Sequence, residues 1–299
     1  MRVALAVHPA SGHGAAGRVS DVVADRLRAV ADHLALVEAG SVAESRALMV
    51  RARDAGLDLL VVLGGDGSAH QGVQFCAEHD VPLAVVPAGT GNDLVRALGG
   101  PMESLAAVDA VVAAVRSGEH RRIDLGRLAG GEWVATVLCA GFDSAVSERV
   151  NRMRWPHGPR RYDLAIVAEM AALRPRPLVV DTEGGRVELD ATMVAVGNTA
   201  YYGGGIPVCP GADPADGLFD VTVVGRVSRL DLVRMLPSVR TGRHVAHPAV
   251  RTLRARRVRL GESNGWVAYA DGERMGSLPV DLECVAGALT VVGHGSGGL

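Results

Sequence analysis

Three apolar runs of strand length constrain the fold of this chain more than any other feature. The runs are residues 2–7, 59–63 and 83–86, and none of them alternates with polar residues. Helix-like segments at about residues 19–34 and 42–55 separate the first two runs, and another precedes the third. Unbroken apolar strands separated by helices are typical of parallel sheets that are buried on both faces. We therefore expect an α/β first half with a mostly parallel sheet.

After about residue 120 the sequence changes to short alternating segments between Gly and Pro turns, a pattern typical of antiparallel strands. We expect a mainly antiparallel, sandwich-like second half with helices at about 162–173 and 228–240. The segments predicted as strands are residues 132–138, 178–181, 192–196, 219–224 and 256–260. The chain length favours two domains, which we place at 1–120 and 121–299, with the last ~12 residues packing back on the first domain.

Composition excludes several kinds of chemistry. The 31 Lys and Arg residues are all arginine, so the chain has no Walker A lysine, no protein-kinase strand lysine and no Schiff base. The net charge of -2 provides no overall attraction for a polyanion, so we expect no nucleic-acid partner. Four singly spaced cysteines, no signal-peptide pattern and no long apolar stretch predict a cytoplasmic protein.

The loop after the second apolar run, residues 64–68, reads Gly-Gly-Asp-Gly-Ser. Ligands of open α/β sheets bind at the carboxyl ends of the strands, and glycines let backbone N–H groups approach phosphate oxygens. Phosphates would repel Asp66 unless it holds Mg²⁺, meets a substrate hydroxyl or accepts backbone N–H bonds. The alternative is a tight turn in which Asp66 caps the next helix.

The loop after the third run, residues 87–93, repeats this construction with the sequence Pro-Ala-Gly-Thr-Gly-Asn-Asp. Because neighbouring parallel strands end at the same edge, the Thr90 hydroxyl and the Asp93 carboxylate could converge with the first loop on one nucleotide. A turn capped by Asn92 or Asp93 explains either residue alone but explains the pair of loops poorly. Residues 8–14 form a third glycine-bearing loop at the same edge.

These loops resemble motifs of the superfamily of diacylglycerol kinases, sphingosine kinases and bacterial lipid kinases. Its first domain carries a GGDGT loop and a P-x-G-T-x-N-D-F-x-R segment, and residues 64–68 and 87–96 match both, with Ser68 for Thr and Leu94 for Phe. The resemblance continues in the family's order and spacing through the second half of the chain. The matching segments there are residues 197–198, 201–205, 210–220 and 271–273.

The resemblance implies a kinase that uses ATP and Mg²⁺ to phosphorylate a hydroxyl of a lipid-like acceptor such as diacylglycerol, with a role in phospholipid synthesis. It implies an NAD-kinase-like first domain that binds the nucleotide and a β-rich second domain that binds the acceptor. Glu273 matches the base that accepts the proton of the lipid hydroxyl, and Asp66 and Asp93 are expected to position metal or hydroxyl. The residues that match nucleotide-binding positions or adjoin them are Pro9, Ser11, Gly12, Gly64, Gly65, Asp66, Gly67, Ser68, His70, Gly89, Thr90 and Asn92.

A metal site in the second domain is also implied. In bacterial relatives the positions that match Asp213, Asp216 and the carbonyl of Leu218 hold a structural Mg²⁺, and a plain acidic turn is the alternative. This chain has His70-Gln71 where many relatives have Asn-Glu, which removes a carboxylate that could help to hold catalytic metal. Ser41 is a candidate for a further nucleotide contact.

Two other functions stay open. An NAD kinase shares the GGDG loop and the two-domain outline, although residues 87–96 and 271–273 fit lipid kinases better. The other is a catalytically silent protein that senses a nucleotide or lipid, against which the intact acidic residues argue.

The basic stretch 149–161 predicts either peripheral contact with anionic headgroups at the inner membrane face or a solvated loop. The sequence leaves the oligomeric state open, and a homodimer is compatible with it.

Overall fold

The first half of the chain alternates strands with helices. The computed structural model describes residues 1–8, 11–153, 155, 160–261 and 265–293, and the side chains of these residues except 11–14 and 160–163. The elements of the first half are β1 (Arg2–Val7), α1 (Ser11–Arg28), β2 (His33–Glu38), α2 (Val42–Asp54), β3 (Leu59–Gly64), α3 (Asp66–His79), β4 (Leu83–Pro87), α4 (Asp93–Ala97) and α5 (Ser104–Ser117).

The strands of this half lie side by side in the order β4-β3-β1-β2, and all of these neighbours are parallel. Every residue of β3 and β4 is buried, since apolar side chains pack on both faces of the sheet. One face is covered by α2 and α3 and the other by α1 and α5. The mostly parallel sheet predicted from the apolar runs is confirmed.

The second half is mainly antiparallel, as predicted. Its elements are β5 (Arg121–Leu128), β6 (Trp133–Val134), β7 (Val137–Gly141), α6 (Phe142–Arg152), α7 (Arg160–Ala172), β8 (Arg176–Thr182), β9 (Gly185–Gly197), β10 (Tyr201–Tyr202), β11 (Ile206–Pro207), β12 (Phe219–Gly225), α8 (Arg229–Val239), a 3₁₀ turn (Arg243–Ala246), β13 (Val250–Ala255), β14 (Arg257–Gly261), β15 (Val267–Ala270), β16 (Glu273–Ser277) and β17 (Val280–Val291). A core of buried side chains from these strands fills the second half.

The long strand β17 joins the two halves. Its first residues pair antiparallel with β14 and β5, and its last residue, Val291, pairs in parallel with Leu83 of β4. The next residue, Val292, packs into the core of the first half. The register of β17 against β5 shifts between Val285 and Leu289, where the strand passes from one half to the other.

Two sequence predictions are wrong in their bounds. The helix predicted at 19–34 ends at Arg28, and residues 33–38 form β2, an edge strand in which only Val37 is buried. The strand predicted at 132–138 is interrupted, because the N–H groups of Ala135 and Thr136 donate to the carboxylate of Asp271 instead of continuing a strand ladder.

In the described part of the chain, no helix has both the length and the apolar character needed to cross a membrane.

Candidate active site

The two glycine-rich loops meet at the carboxyl edge of the parallel sheet. Gly64 and Pro87 are register partners in β3 and β4, so the loops leave the sheet side by side. They approach so closely that a Cβ on Gly89 would lie 2.5 Å from the Cα of Gly65. Glycine is therefore required where the backbones touch, and the structure brings the two predicted nucleotide loops together.

Asp66 fastens the first loop to the second. It is the first residue of α3, and its carboxylate accepts the N–H of Asn92 at 3.0 Å and that of Asp93 at 2.8 Å. The loop leaves room for this carboxylate only because Gly91 has no side chain, since a Cβ there would lie 2.2 Å from Oδ2 of Asp66. Of the roles considered for Asp66, acceptance of backbone N–H bonds is the one that these contacts display.

Asn92 shapes the second loop. Its backbone is left-handed, with φ of 55°, a conformation that asparagine tolerates better than most residues. Its side chain donates to the carbonyl of Gly89 at 2.8 Å and accepts the N–H of Gly89 at 3.1 Å. Both functional groups of the amide are thus used within the loop. Thr90, between them in sequence, is exposed and lines the cavity described below.

Asp93 carries the buried carboxylate of the site. Its Oδ2 accepts the N–H of Gly204 at 2.9 Å, whereas Oδ1 is buried and has no hydrogen-bond partner among the described residues. Burial raises the pKa of Asp93, and the nearby charge of Asp66 adds to the rise, although the N–H groups of residues 204 and 205 and the guanidinium of Arg96 oppose it. Nε of Arg96 lies 4.0 Å from the same Oδ1, beyond hydrogen-bonding distance, so this oxygen can still receive a hydroxyl or a cation.

Glu273 approaches the first loop from the second half of the chain. It begins β16 after a tight turn in which Asp271 and Gly272 have φ of 53° and 85°. Its carboxylate is exposed, and a Cβ on Gly67 would lie 3.5 Å from its Oε1. The predicted base thus lies beside the glycine-rich loop, with no hydrogen-bond partner among the described residues.

Asp271 anchors this turn through a network that the sequence did not reveal. Its carboxylate accepts the N–H of Ala135 at 2.9 Å, the N–H of Thr136 at 2.8 Å and the Thr136 hydroxyl at 2.6 Å. Nδ1 of His70, on α3, lies 3.2 Å from Oδ2 of the same carboxylate. His70 thus contacts the turn that carries Glu273, and it also lines the cavity described below, so its contact with the nucleotide stays a prediction.

Both members of this pair are buried, with side chains that are 8% and 5% exposed for His70 and Asp271. Burial alone would lower the pKa of His70, but the hydrogen bond and charge of Asp271, with Glu273 and Glu132 farther away, raise it overall. Burial alone would raise the pKa of Asp271, but His70 and the donors at residues 135 and 136 lower it overall. Each partner therefore favours the charged form of the other.

A cavity of about 690 Å³ runs from these acidic groups into the second half of the chain. Asp66, Thr90, Asp93 and Asp271 line its polar part. Most of the remaining wall is apolar and comes from α6, α7, α8 and the strands beside them. Representative side chains of that wall are Phe142, Val146, Ile166, Met193, Leu232 and Met235. The shape suits a molecule with an apolar body and a polar end.

One further carboxyl group lines the cavity, and sequence reasoning missed it. Asp143, at the start of α6, accepts hydrogen bonds from the Cys139 thiol and the Tyr202 hydroxyl, both at 3.1 Å. Burial raises the pKa of Asp143, and these two donors only partly offset that effect. The segment 201–205 was recognised as a motif, but nothing in its sequence signalled a partner at residue 143.

The remaining residues predicted to contact the nucleotide or a membrane lie away from the two glycine-rich loops or outside the described side chains. Pro9 lies outside the described residues, and Ser11 and Gly12 begin α1, with side chains outside the description. Ser41 caps α2 by accepting the N–H of Glu44 at 3.2 Å. Of the basic stretch 149–161, Arg149 pairs with Glu169 and Arg152 pairs with Glu148.

The acidic loop 210–220 is held by an arginine. Asp213 accepts the N–H of Ala215 at 2.9 Å, and Asp216 accepts the N–H of Leu218 at 3.0 Å through Oδ1. The other oxygen of Asp216 pairs with the guanidinium of Arg254, which also contacts Asp220. Arg254 would compete with a Mg²⁺ ion for Asp216, and the metal site expected at Asp213, Asp216 and Leu218 stays a prediction.

A nucleotide-bound Mg²⁺ fits the first half better. Mg²⁺ commonly takes one or two carboxylates and completes its octahedron with water and phosphate oxygens. Oδ1 of Asp93 is buried and accepts no hydrogen bond from the described residues, with Nε of Arg96 4.0 Å away, whereas both oxygens of Asp66 already accept N–H bonds. No cluster of three His, Cys, Asp or Glu side chains suitable for a metal occurs among the described residues.

Family models cover nearly the whole chain. Residues 2–128 match the model described as the diacylglycerol kinase catalytic domain. Residues 136–293 match the model described as the YegS C-terminal NAD kinase beta sandwich-like domain.

Individual proteins extend the comparison. A diacylglycerol kinase of Mycobacterium tuberculosis (strain ATCC 25618 / H37Rv) is 39% identical over 97% of this chain and 94% of its own. One from Bacillus subtilis (strain 168) is 28% identical over 74% of this chain and 73% of its own. A crystal structure of a diacylglycerol kinase from Bacillus anthracis str. Sterne has a TM-score of 0.74 at 18% identity and covers 97% of this chain and 96% of that one, which shows the shared fold.

Proposed function

Since this chain belongs to the diacylglycerol kinase family, and is thus a kinase whose acceptor is an alcohol, we propose that it transfers the γ-phosphoryl group of ATP to a lipid hydroxyl. The acceptor that we propose is diacylglycerol. Residues 1–120 would bind the nucleotide and residues 121–299 the lipid. Because the acceptor is a membrane lipid and the donor is ATP, the reaction would take place at the cytoplasmic face of a membrane.

One observation carries this proposal: an apolar cavity ends at the carboxylates beside the glycine-rich loops. A lipid could bury its apolar body against α6 and α8. Its hydroxyl would then reach Asp93 and the space beside the Glu273 carboxylate. NAD, which carries two riboses and a pyrophosphate between its bases, would leave most of the apolar wall without a matching surface. The cavity therefore favours a lipid over the nucleotide acceptor that was considered as an alternative.

The backbone of the loops supplies the proposed phosphate site. Loops at the carboxyl ends of parallel strands, followed by helix N-termini, direct N–H groups toward anions. Asp66 fixes the spacing of the two loops by binding the N–H groups of Asn92 and Asp93. When bound with the nucleotide, Mg²⁺ would neutralise phosphate charge, and Asp93 is the residue that would hold it.

The proton of the acceptor would pass to Glu273. The lipid oxygen forms a bond to the γ-phosphorus, the bond from that phosphorus to the β–γ bridging oxygen breaks, and ADP leaves. The Glu273 carboxylate accepts the hydroxyl proton as the new bond forms. Its exposed position beside Gly67 leaves it available for this role, and His70 and Asp271 would hold the turn that presents it.

The decisive experiment offers ATP and Mg²⁺ with each of four acceptors: diacylglycerol, sphingosine, a polyprenol and NAD. We expect ATP consumption that depends on diacylglycerol. Turnover with another lipid would support the proposed reaction but contradict diacylglycerol as the acceptor. Turnover with NAD alone would contradict the whole proposal. ATP binding without turnover on any of these acceptors would favour a silent sensor.

A further inference from the structure

The outer face of α8 combines exposed apolar side chains with arginines. Leu230, Val233 and Leu236 are 58%, 47% and 39% exposed, although the cost of hydrating large apolar groups normally limits such clusters. Arg229 and Arg234 are exposed on the helix beside them, and the exposed Arg240 follows its last residue. We call these six residues the docking face.

The charge of this segment differs from that of the chain. Residues 226–243 contain five arginines and one acid, Asp231, so their formal charge is +4 (5 − 1), against -2 for all 299 residues. Asp231 is occupied by Ser228 and lies 3.7 Å from Arg234, and Arg226 pairs with Asp190. The remaining basic side chains of the segment face solvent or the cavity mouth, so the segment attracts anions.

The inner face of the same helix lines the lipid-sized cavity. Leu232 and Met235 are buried against its wall, and Leu236 and Arg240 line it while remaining exposed. The cavity therefore reaches the surface along α8, beside the docking face. Ile166 of α7 also lines the cavity, and its neighbours Leu164 and Val167 are exposed, so a second helix adds exposed apolar side chains next to a cavity-lining residue.

We propose that the docking face of α8 inserts into the surface of an anionic phospholipid bilayer and aligns the open end of the cavity with it. The inference rests on the proposed function, because it supplies the route by which a membrane lipid would reach Asp93 and Glu273. Leucine and valine enter the boundary between headgroups and acyl chains, while arginines bind phosphate at the same depth. This pairing of interleaved apolar and basic side chains beside a lipid cavity favours a bilayer over a protein partner.

Vesicle binding tests the docking face without any catalytic step. Purified protein is floated with vesicles of phosphatidylcholine alone, or of phosphatidylcholine with phosphatidylglycerol, all free of diacylglycerol. We expect binding to the anionic vesicles, at least about tenfold weaker binding for Leu230→Gln with Val233→Gln, and about fivefold weaker binding for Arg229→Gln. The matched controls are exposed valines and an exposed arginine of the first half, Val22→Gln with Val42→Gln, and Arg51→Gln, which should bind as the wild type does.

Turnover provides a second readout that separates this inference from the proposed function. With a short-chain diacylglycerol dissolved as monomers, the Leu230→Gln, Val233→Gln variant should turn over like the wild type, and with vesicle-embedded diacylglycerol it should lose about tenfold. Absence of turnover with every acceptor would contradict the proposed function, while vesicle binding would still decide the docking face. Equal vesicle binding by wild type and double variant would overturn the inference, as would a wild-type dimer that the double variant abolishes in the absence of vesicles.

Discussion

His70 and Asp271 lie 3.2 Å apart although 201 residues separate them in the sequence, and they connect α3 to the turn that carries Glu273. The contact joins the two halves of the chain at the edge of the candidate active site. Because both side chains are buried, the pair depends on each partner remaining charged. Its loss should therefore be visible in both stability and pH dependence.

Replacing His70 with Gln should lower the free energy of unfolding by about 2–3 kcal/mol at pH 6, since it leaves the buried Asp271 carboxylate without its cation. The raised pKa of His70 means that the stabilisation is fully present below about pH 6.5 and is lost as pH rises through the folded-state pKa. The lowered pKa of Asp271 sets the acidic limit, where the stabilisation is lost as pH falls below about 3.8. Urea unfolding from pH 2.5 to pH 9 measures both limits.

The exposed His33 provides the control, because His33→Gln removes an imidazole that has no contact with the site. It should leave the stability profile unchanged. A His70→Gln profile parallel to that of the wild type at all pH values would show that the pair is not ionised in the folded protein.

Replacing Glu273 with Gln should reduce turnover by about 10²–10⁴-fold, because the amide cannot accept the hydroxyl proton. ATP binding should persist, since the carboxylate makes no hydrogen bond with the described residues. Steady-state kinetics and calorimetric titration with ATP measure the two effects. Glu119→Gln, at an exposed turn, is the matched control. Loss of ATP binding by the Glu273 variant would assign the residue a structural role.

Replacing Asp66 with Asn should destabilise the protein by about 2 kcal/mol and weaken ATP binding, because one amide oxygen cannot serve both N–H groups as a carboxylate does. The glycine-rich loops would then lose their fixed spacing. Thermal unfolding and ATP titration measure the effect, with the exposed Asp21→Asn as control. If turnover fell while stability and ATP binding were unchanged, Asp66 would instead act on the reacting groups.

Replacing Arg254 with Met should make stability dependent on Mg²⁺. In the wild type the guanidinium binds Asp216 and Asp220, so adding Mg²⁺ or a chelator should not move the unfolding midpoint of the protein without nucleotide. The half-exposed pair contributes only about 1 kcal/mol, which the variant should lose and Mg²⁺ should partly restore. Arg251→Met, on the same strand and exposed, is the control. A midpoint of the wild type that fell on chelation would support the metal site expected from the resemblance.

Apolar runs made the parallel sheet predictable, since burial on both faces leaves β1, β3 and β4 almost without polar residues. The edge strand β2 was missed because only one residue in it, Val37, is buried, so its composition resembles that of a helix end. The predicted bounds of strands were wrong where contacts between distant segments determine where a strand ends. The break between β6 and β7 exists because Asp271, far along the chain, captures the backbone N–H groups there.

The candidate site was predictable where the backbone carries the chemistry. Glycines after buried strands identified both loops, and the structure brings them into contact through Gly65 and Gly89. Side-chain partners were not predictable in the same way. No local pattern reveals that Asp66 binds the second loop, that Asp143 meets Tyr202 or that His70 meets Asp271, because each contact depends on how distant segments pack.

The strand β17 has a mechanical consequence. Its backbone bonds to the strands of both halves, so neither half can swing freely about a loose linker. Its irregular stretch between Val285 and Leu289 includes Gly287, whose N–H donates to Asp124 at 2.7 Å. Relative rotation of the two halves must therefore distort this irregular stretch and strain its hydrogen bonds.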